Sequence, residues 1–179
     1  KMDKEAQKLL VSFYTMRNIL RDGGAQDLMA LQSINFSAGS GGAVNSTTPS
    51  IWPSKGVITS PYGSRIDPVT GASSAFHEGI DIADDYGTSI VATAAGTVTI
   101  AGYTDGGYGN LVEIDHGNGF VTRYGHNSAV LVTPGMTVKQ GQVIAVMGST
   151  GKSTGAHVHY EVRLNGSPTD PMIFLPISN

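Results

Sequence analysis

Two hydrophobic periods divide the chain. Over residues 3–21, Ala6, Leu9, Leu10, Phe13, Met16, Ile19 and Leu20 recur at steps of three and four. That spacing predicts one amphipathic helix. Asp3 can cap its start, and Asp22-Gly23-Gly24 stops it. A second short helical piece is expected over 26–32. Residues 37–50 are small and polar with no apolar period, the pattern of a flexible linker. From Trp52 onward the period shortens to two. Strands are predicted at 57–59, 89–93, 96–101, 110–115, 119–124, 137–138, 142–147 and 157–164, with a hairpin turn at 116–119 and a last turn at Asn165-Gly166. No helix is predicted beyond residue 52. The chain therefore reads as a helical appendage or stalk (1–34), a linker (35–51) and a mainly β domain (52–179) of sandwich or barrel type.

Composition narrows the function classes. The 24 glycines suit a β protein with many tight turns. A formal net charge of −3 gives no electrostatic case for nucleic acid or an anionic membrane. With no cysteine there is no disulfide and no thiolate metal site. No apolar run approaches the roughly 20 residues of a membrane span. The chain opens Lys1-Met2 in mid-pattern without a signal peptide, so an export or membrane-anchor segment is expected upstream. Two readings of the N-terminal stripe stand open: a membrane-proximal stalk that dimerises, or a helix laid against the β domain.

The chemistry concentrates in Gly151-Lys-Ser-Thr-Gly-Ala-His-Val-His-Tyr-Glu-Val-Arg163. On a strand, His157 and His159 point to one face. Two adjacent imidazoles are suited to holding a metal and handling a proton beside it. A second segment, Phe76-His-Glu-Gly-Ile-Asp-Ile-Ala83, starts like the helical HExxH zinc motif but lacks its second histidine. Gly79, Ile80 and Ile82 argue for extended chain, which puts His77 and Asp81 on one face with room at Gly79 for an ion or a backbone. Two imidazoles and a carboxylate (His77, Asp81, His159) are suited to Zn²⁺, one ion per chain, with a fourth position left for water. The same set could hold Fe(II). His126 and His157 are assigned as the pair flanking that water, one taking its proton and the other stabilising the oxyanion, with the order left open. His116 is read as a turn residue. Glu161 shares the face of His157 and His159, and either supports a ligand or pairs with Arg163.

These segments resemble the lysostaphin/LytM-type zinc endopeptidases that cut bacterial peptidoglycan. The resemblance runs from about Trp52 to Leu175. It rests on Ile58-Thr-Ser-Pro-Tyr-Gly-Ser-Arg65, His77-x-x-x-Asp81, Tyr124-Gly-His126, Gly148-Ser-Thr-Gly151 and Gly155-Ala-His-Val-His159. It implies an open antiparallel β-sandwich of the duplicated hybrid motif type, zinc ligands at His77, Asp81 and His159, and a catalytic pair at His126 and His157. It also implies a peptidoglycan peptide as substrate and an extracytoplasmic location, secreted or anchored. Val158 and Tyr160 stand where the family often has Leu and Phe, and residues 68–75 fall in a loop that shapes the groove.

Two rivals are weighed. The 90–98 and 138–144 segments look like the hammerhead repeats of lipoyl and biotin carriers and like sugar-phosphotransferase carriers. None of Lys55, Lys139 and Lys152 sits at a carrier-type hairpin tip, and a phosphocarrier leaves Asp81, His157 and His159 unexplained as a set. The other rival is a latent wall-binding or scaffold protein of the same fold.

Overall fold

The alternating pattern after Trp52 becomes short antiparallel strands in the computed structural model, which describes residues 46–65, 70–71 and 75–177. In chain order these are β1 (Val57–Ser60), β2 (Gly63–Arg65), β3 (Ala75–His77), β4 (Ile80–Ala83), β5 (Ser89–Val91), β6 (Gly96–Thr104) and β7 (Gly109–Asp115). There follow β8 (Phe120–Asn127), β9 (Ala129–Val130), β10 (Thr137–Val138), β11 (Val143–Val146), β12 (His157–Leu164) and β13 (Ser167–Thr169). A single 3₁₀ turn, Pro171–Ile173, comes after them. The large sheet runs β1-β4-β12-β8-β7-β6-β10, with β13 folded back onto β12. A small sheet runs β5-β11-β9, and β2 and β3 form a separate ribbon.

The mainly β, antiparallel expectation holds over these residues. The helices expected over 3–21 and 26–32, most of the linker, and most of the 68–75 loop lie outside the described residues. The described end of the expected linker runs along the β domain: Ala95 N donates to Ser46 O at 2.8 Å, and Ser50 N donates to Thr93 O at 3.2 Å. Val44–Leu175 forms one compact unit.

Strand β12 shows why the domain folds this way. Its even residues Val158, Tyr160 and Val162 are fully buried, with Leu164 nearly so. They join Ile80 and Ile82 of β4 and Phe120, Thr122 and Tyr124 of β8, all buried. Period-two alternation thus builds one continuous apolar face across three strands. Thr93, just past β5, hydrogen-bonds the hydroxyls of Tyr124 (3.0 Å) and Tyr160 (2.8 Å), so the small sheet closes over that face. The odd residues of β12 are left to the opposite face, where the site is built.

Apart from β3 and β4, which fall in the 76–83 segment read as extended chain, the strands that the pattern does not predict are β2, β9 and β13. Each has two or three residues, too few to display a period. One local expectation is corrected. His77 and Asp81 do not share a strand: His77 ends β3 in the ribbon, and Asp81 lies in β4 of the large sheet. The chain bends at Glu78-Gly79. A Cβ on Gly79 would collide with the Tyr160 carbonyl and crowd Cγ of Glu161. The room at Gly79 is therefore taken by backbone, and it lets the bend lie against β12.

Candidate metal centre

Register brings the residues together. In the large sheet β12 lies between β4 and β8, and His159 is paired with Asp81 on one side and Gly125 on the other. Directly opposed residues in an antiparallel pair share a face, with Cβ atoms roughly 5 Å apart. His159 Nδ1 accordingly lies 2.9 Å from Asp81 Oδ1. The bend at Gly79 returns His77 to the same point, its Nε2 3.1 Å from Asp81 Oδ1 and 2.9 Å from His159 Nδ1. All three side chains are buried.

Each imidazole is turned by a partner on its far nitrogen. His77 Nδ1 donates to Pro61 O at 2.8 Å, and His159 Nε2 donates to Glu161 Oε1 at 3.0 Å. Those donations leave lone pairs on His77 Nε2 and His159 Nδ1, facing each other and the Asp81 carboxylate. Three electron-rich atoms within about hydrogen-bond distance repel unless something positive sits among them. When protons rather than an ion stand among these atoms, hydrogen bonds draw the same groups together. Burial alone would raise the pKa of Asp81, but hydrogen bonds from His159 and His77 outweigh it and hold the carboxyl well below the usual range. Burial opposes charge on His159, yet its hydrogen bonds to Asp81 and Glu161 push it up to about 9. A cation is stabilised at this spot, and two nitrogens with one oxygen match the donor set of Zn²⁺.

His126 and His157 stand beside this trio with ring centroids 4.6 Å apart. His157 lies two residues before His159 on the same face, its Nε2 3.8 Å from Asp81 Oδ1. Its Nδ1 donates to Gly155 O at 2.8 Å. His126 reaches the site by an irregularity. The β7–β8 register slips there, so that Gly125 and His126 fall between the pairs Val112–Tyr124 and Asn110–Asn127. His126 also adopts a left-handed backbone, φ 66°. Bulges of this kind re-aim a side chain beside a site. The ring is held by Nδ1 donating to Thr150 O at 2.7 Å. That carbonyl is placed by Gly151, where φ is +71° and a Cβ would strike Gly107 and Gly109. Burial, then the nearby His157 and His159, lowers the His126 pKa to about 4, although its bond to Thr150 O works the other way. His126 is therefore neutral at pH 7, with Nε2 as its acceptor atom.

The five predicted site residues, His77, Asp81, His126, His157 and His159, thus fall into one cluster. Several supports carried no sequence signal. The carbonyls of Pro61, Thr150 and Gly155 are backbone groups that any residue supplies. Tyr108 lies in a glycine-rich turn, yet its hydroxyl donates to Glu161 Oε1 at 2.5 Å and its carbonyl accepts from His126 N at 2.8 Å. Burial and that bond to Glu161 push the phenol up to about 12, so it stays a donor. His116, read as a turn residue, is buried and bonded at both ring nitrogens, 2.7 Å to Ala95 O and 2.9 Å to Thr122 Oγ1.

Residues 75–171, which hold all five site side chains, match the model of peptidase family M23. The chain belongs to that family. It is 47% identical over 115 residues to the DD-carboxypeptidase/endopeptidase Mpg of Neisseria meningitidis, covering 64% of this chain and 26% of Mpg. It is 41% identical over 125 residues to the murein hydrolase activator NlpD of Escherichia coli, covering 70% of this chain and 31% of NlpD. The chain therefore spans between a quarter and a third of these relatives. Among solved structures, the lysostaphin catalytic domain of Staphylococcus simulans superposes with a TM-score of 0.61 at 32% identity, over 66% of this chain and 90% of that one. A zinc-containing peptidase from Vibrio cholerae superposes with a TM-score of 0.60 at 36% identity, over 71% of this chain and 39% of that one. The suspected lysostaphin-type kinship is thereby established.

Proposed function

We propose that this M23 domain, an open sandwich of the duplicated hybrid motif type, is a zinc endopeptidase. Its substrate is the peptide portion of bacterial peptidoglycan, cross-link or stem, and it works outside the cytoplasm. The observation that carries the reading is the convergence of the His77 Nε2, Asp81 Oδ1 and His159 Nδ1 lone pairs beside a second histidine pair. Bound there, zinc supplies Lewis acidity to a water and to the scissile carbonyl. The other steps belong to this chain's residues. His126, neutral and tied at Nδ1, offers Nε2 to take the water's proton and pass it to the leaving amine. His157, tied at Nδ1 to Gly155 O and facing the site through Nε2, is the partner assigned to the developing oxyanion. A helical stalk at 1–34, which anchors or dimerises, and a linker at 35–51 complete the proposed layout.

The test compares zinc-loaded and chelated protein on two purified walls, one glycine-bridged and one directly cross-linked, with mass spectrometry of the soluble products. Zinc-dependent products confirm the hydrolase and name the bond. His126→Ala should keep its metal and lose about 10²–10⁴-fold in turnover; retained turnover removes His126 from the mechanism. One observation favours a second reading. The similarity to NlpD, whose name describes a murein hydrolase activator, supports a protein that binds wall and stimulates another enzyme. Bound zinc with no products from either wall, together with stimulation of an added murein hydrolase, would select it.

A further inference from the structure

Glu161 is an unusual residue for the interior of a β-sheet. It is 1% exposed, and both carboxylate oxygens are engaged. Oε1 accepts from His159 Nε2 at 3.0 Å and from Tyr108 Oη at 2.5 Å. Oε2 accepts from Arg163 Nη1 at 2.5 Å. The partners lead to every side of the proposed metal site. Arg163 Nη1 also reaches Glu78 Oε2 at 2.9 Å, next in sequence to His77. Tyr108 is held by Arg123 Nη1 at 3.2 Å, and Arg123 Nε is anchored on Glu113 Oε2 at 2.6 Å. The Tyr108 ring lies 5.8 Å from the His159 ring, centroid to centroid, and its carbonyl accepts from His126 N. The bend at Gly79 lies directly over the Glu161 side chain.

A buried carboxylate is costly unless its oxygens are filled. An apolar residue would fill this position at less expense, so a purely structural role does not account for it. Its chemistry matches the proposed site instead. His159 has two ring nitrogens, and only the tautomer with the proton on Nε2 presents Nδ1 to His77 and Asp81. A carboxylate on Nε2 enforces that tautomer, fixes the ring plane and makes the ring a better donor.

We propose that Glu161, clamped between Tyr108 and Arg163, is a positioning residue that holds His159 with Nδ1 toward the ion and sets the ion's affinity. The inference rests on the metal reading given above. It extends that reading to Tyr108, which links the orientation of His159 to the backbone of His126.

The test is zinc titration of the full chain against a chromophoric chelator, with ring-nitrogen NMR to read the His159 tautomer. Glu161→Gln should bind zinc about 10–100-fold more weakly than wild type, and its His159 should populate both tautomers. Tyr108→Phe keeps the ring, loosens one bond to Glu161 and should lose on the order of fivefold. A wild-type chain that binds no zinc, or binds it unchanged in His159→Ala, sinks the metal reading itself. Zinc bound by wild type and lost in His159→Ala, with Glu161→Gln unchanged in affinity and tautomer, overturns the present inference alone. Should Glu161→Gln fail to fold, Tyr108→Phe decides by the same two readouts, and an unchanged affinity and tautomer there overturns it equally.

Discussion

Two buried histidines, His159 on β12 and His116 just past the end of β7, behave in opposite ways. His116 donates from Nδ1 to Ala95 O, and its Nε2 meets the Thr122 hydroxyl at 2.9 Å. From Thr122 a chain of neutral groups continues through Tyr124 and Thr93 to Tyr160. Every link joins uncharged donors and acceptors. Burial is the leading influence on His116 and lowers its pKa, so it rests neutral. His159 is bracketed by two carboxylates, and its pKa moves up. Its Nδ1 lies 2.9 Å from both His77 Nε2 and Asp81 Oδ1, so with the proton on Nε2 the three atoms turn lone pairs to one point. A polar cluster that satisfies itself stabilises a fold. A cluster whose acceptors converge needs a cation, and that difference separates structure from chemistry here.

The largest effect should come from the open cluster. His159→Ala removes a donor of the trio and should lose zinc and turnover together, a larger loss than the roughly 10–100-fold of a supporting residue. Equilibrium dialysis with the wall-digestion assay reads both, and retained zinc would erase the contrast. An intermediate effect should come from the closed cluster. Tyr124→Phe leaves the buried Thr93 N–H, now bonded to that hydroxyl at 2.9 Å, without its acceptor. It should cost about 1–3 kcal/mol in urea denaturation and leave zinc affinity unchanged. A shift in zinc affinity would show that the two clusters communicate.

The smallest effect is a pH slope. The folded pKa of His116 is lowered, so the unfolded chain binds its proton first as pH falls. Its contribution is complete above the ordinary value near 6.5 and declines below it, by at most ~1.4 kcal/mol per pH unit. Urea midpoints measured from pH 7 to pH 5 should fall more steeply in wild type than in His116→Ala. Parallel slopes would mean that His116 is not held neutral.

Much of the site was legible because a strand has period two. The run 157–164 declares its own faces: Val158, Tyr160 and Val162 go to the core, and His157, His159 and Glu161 go to the other side. The His77–Asp81 pairing was legible as a cluster but not as a shape, because the bend between them depends on Gly79 meeting a carbonyl of β12. The role of His116 was hidden by its place in a turn sequence. Its partners, Ala95 and Thr122, lie 21 and 6 residues away. The left-handed backbone of His126 had no sequence mark, since a non-glycine residue there is held by surrounding contacts.

By itself the sequence determined which residues share a face, which chemistry they carry and that the domain is mainly β. These are local properties, set by alternation and by functional groups. Only the tertiary structure decided the strand order that puts Asp81 opposite His159, the tautomer that Glu161 imposes, and the carbonyls that aim His77, His126 and His157. Those depend on pairings across as many as 82 residues, as between His77 and His159. Backbone carbonyls are identical at every position, so only the folded chain selects which of them a histidine meets.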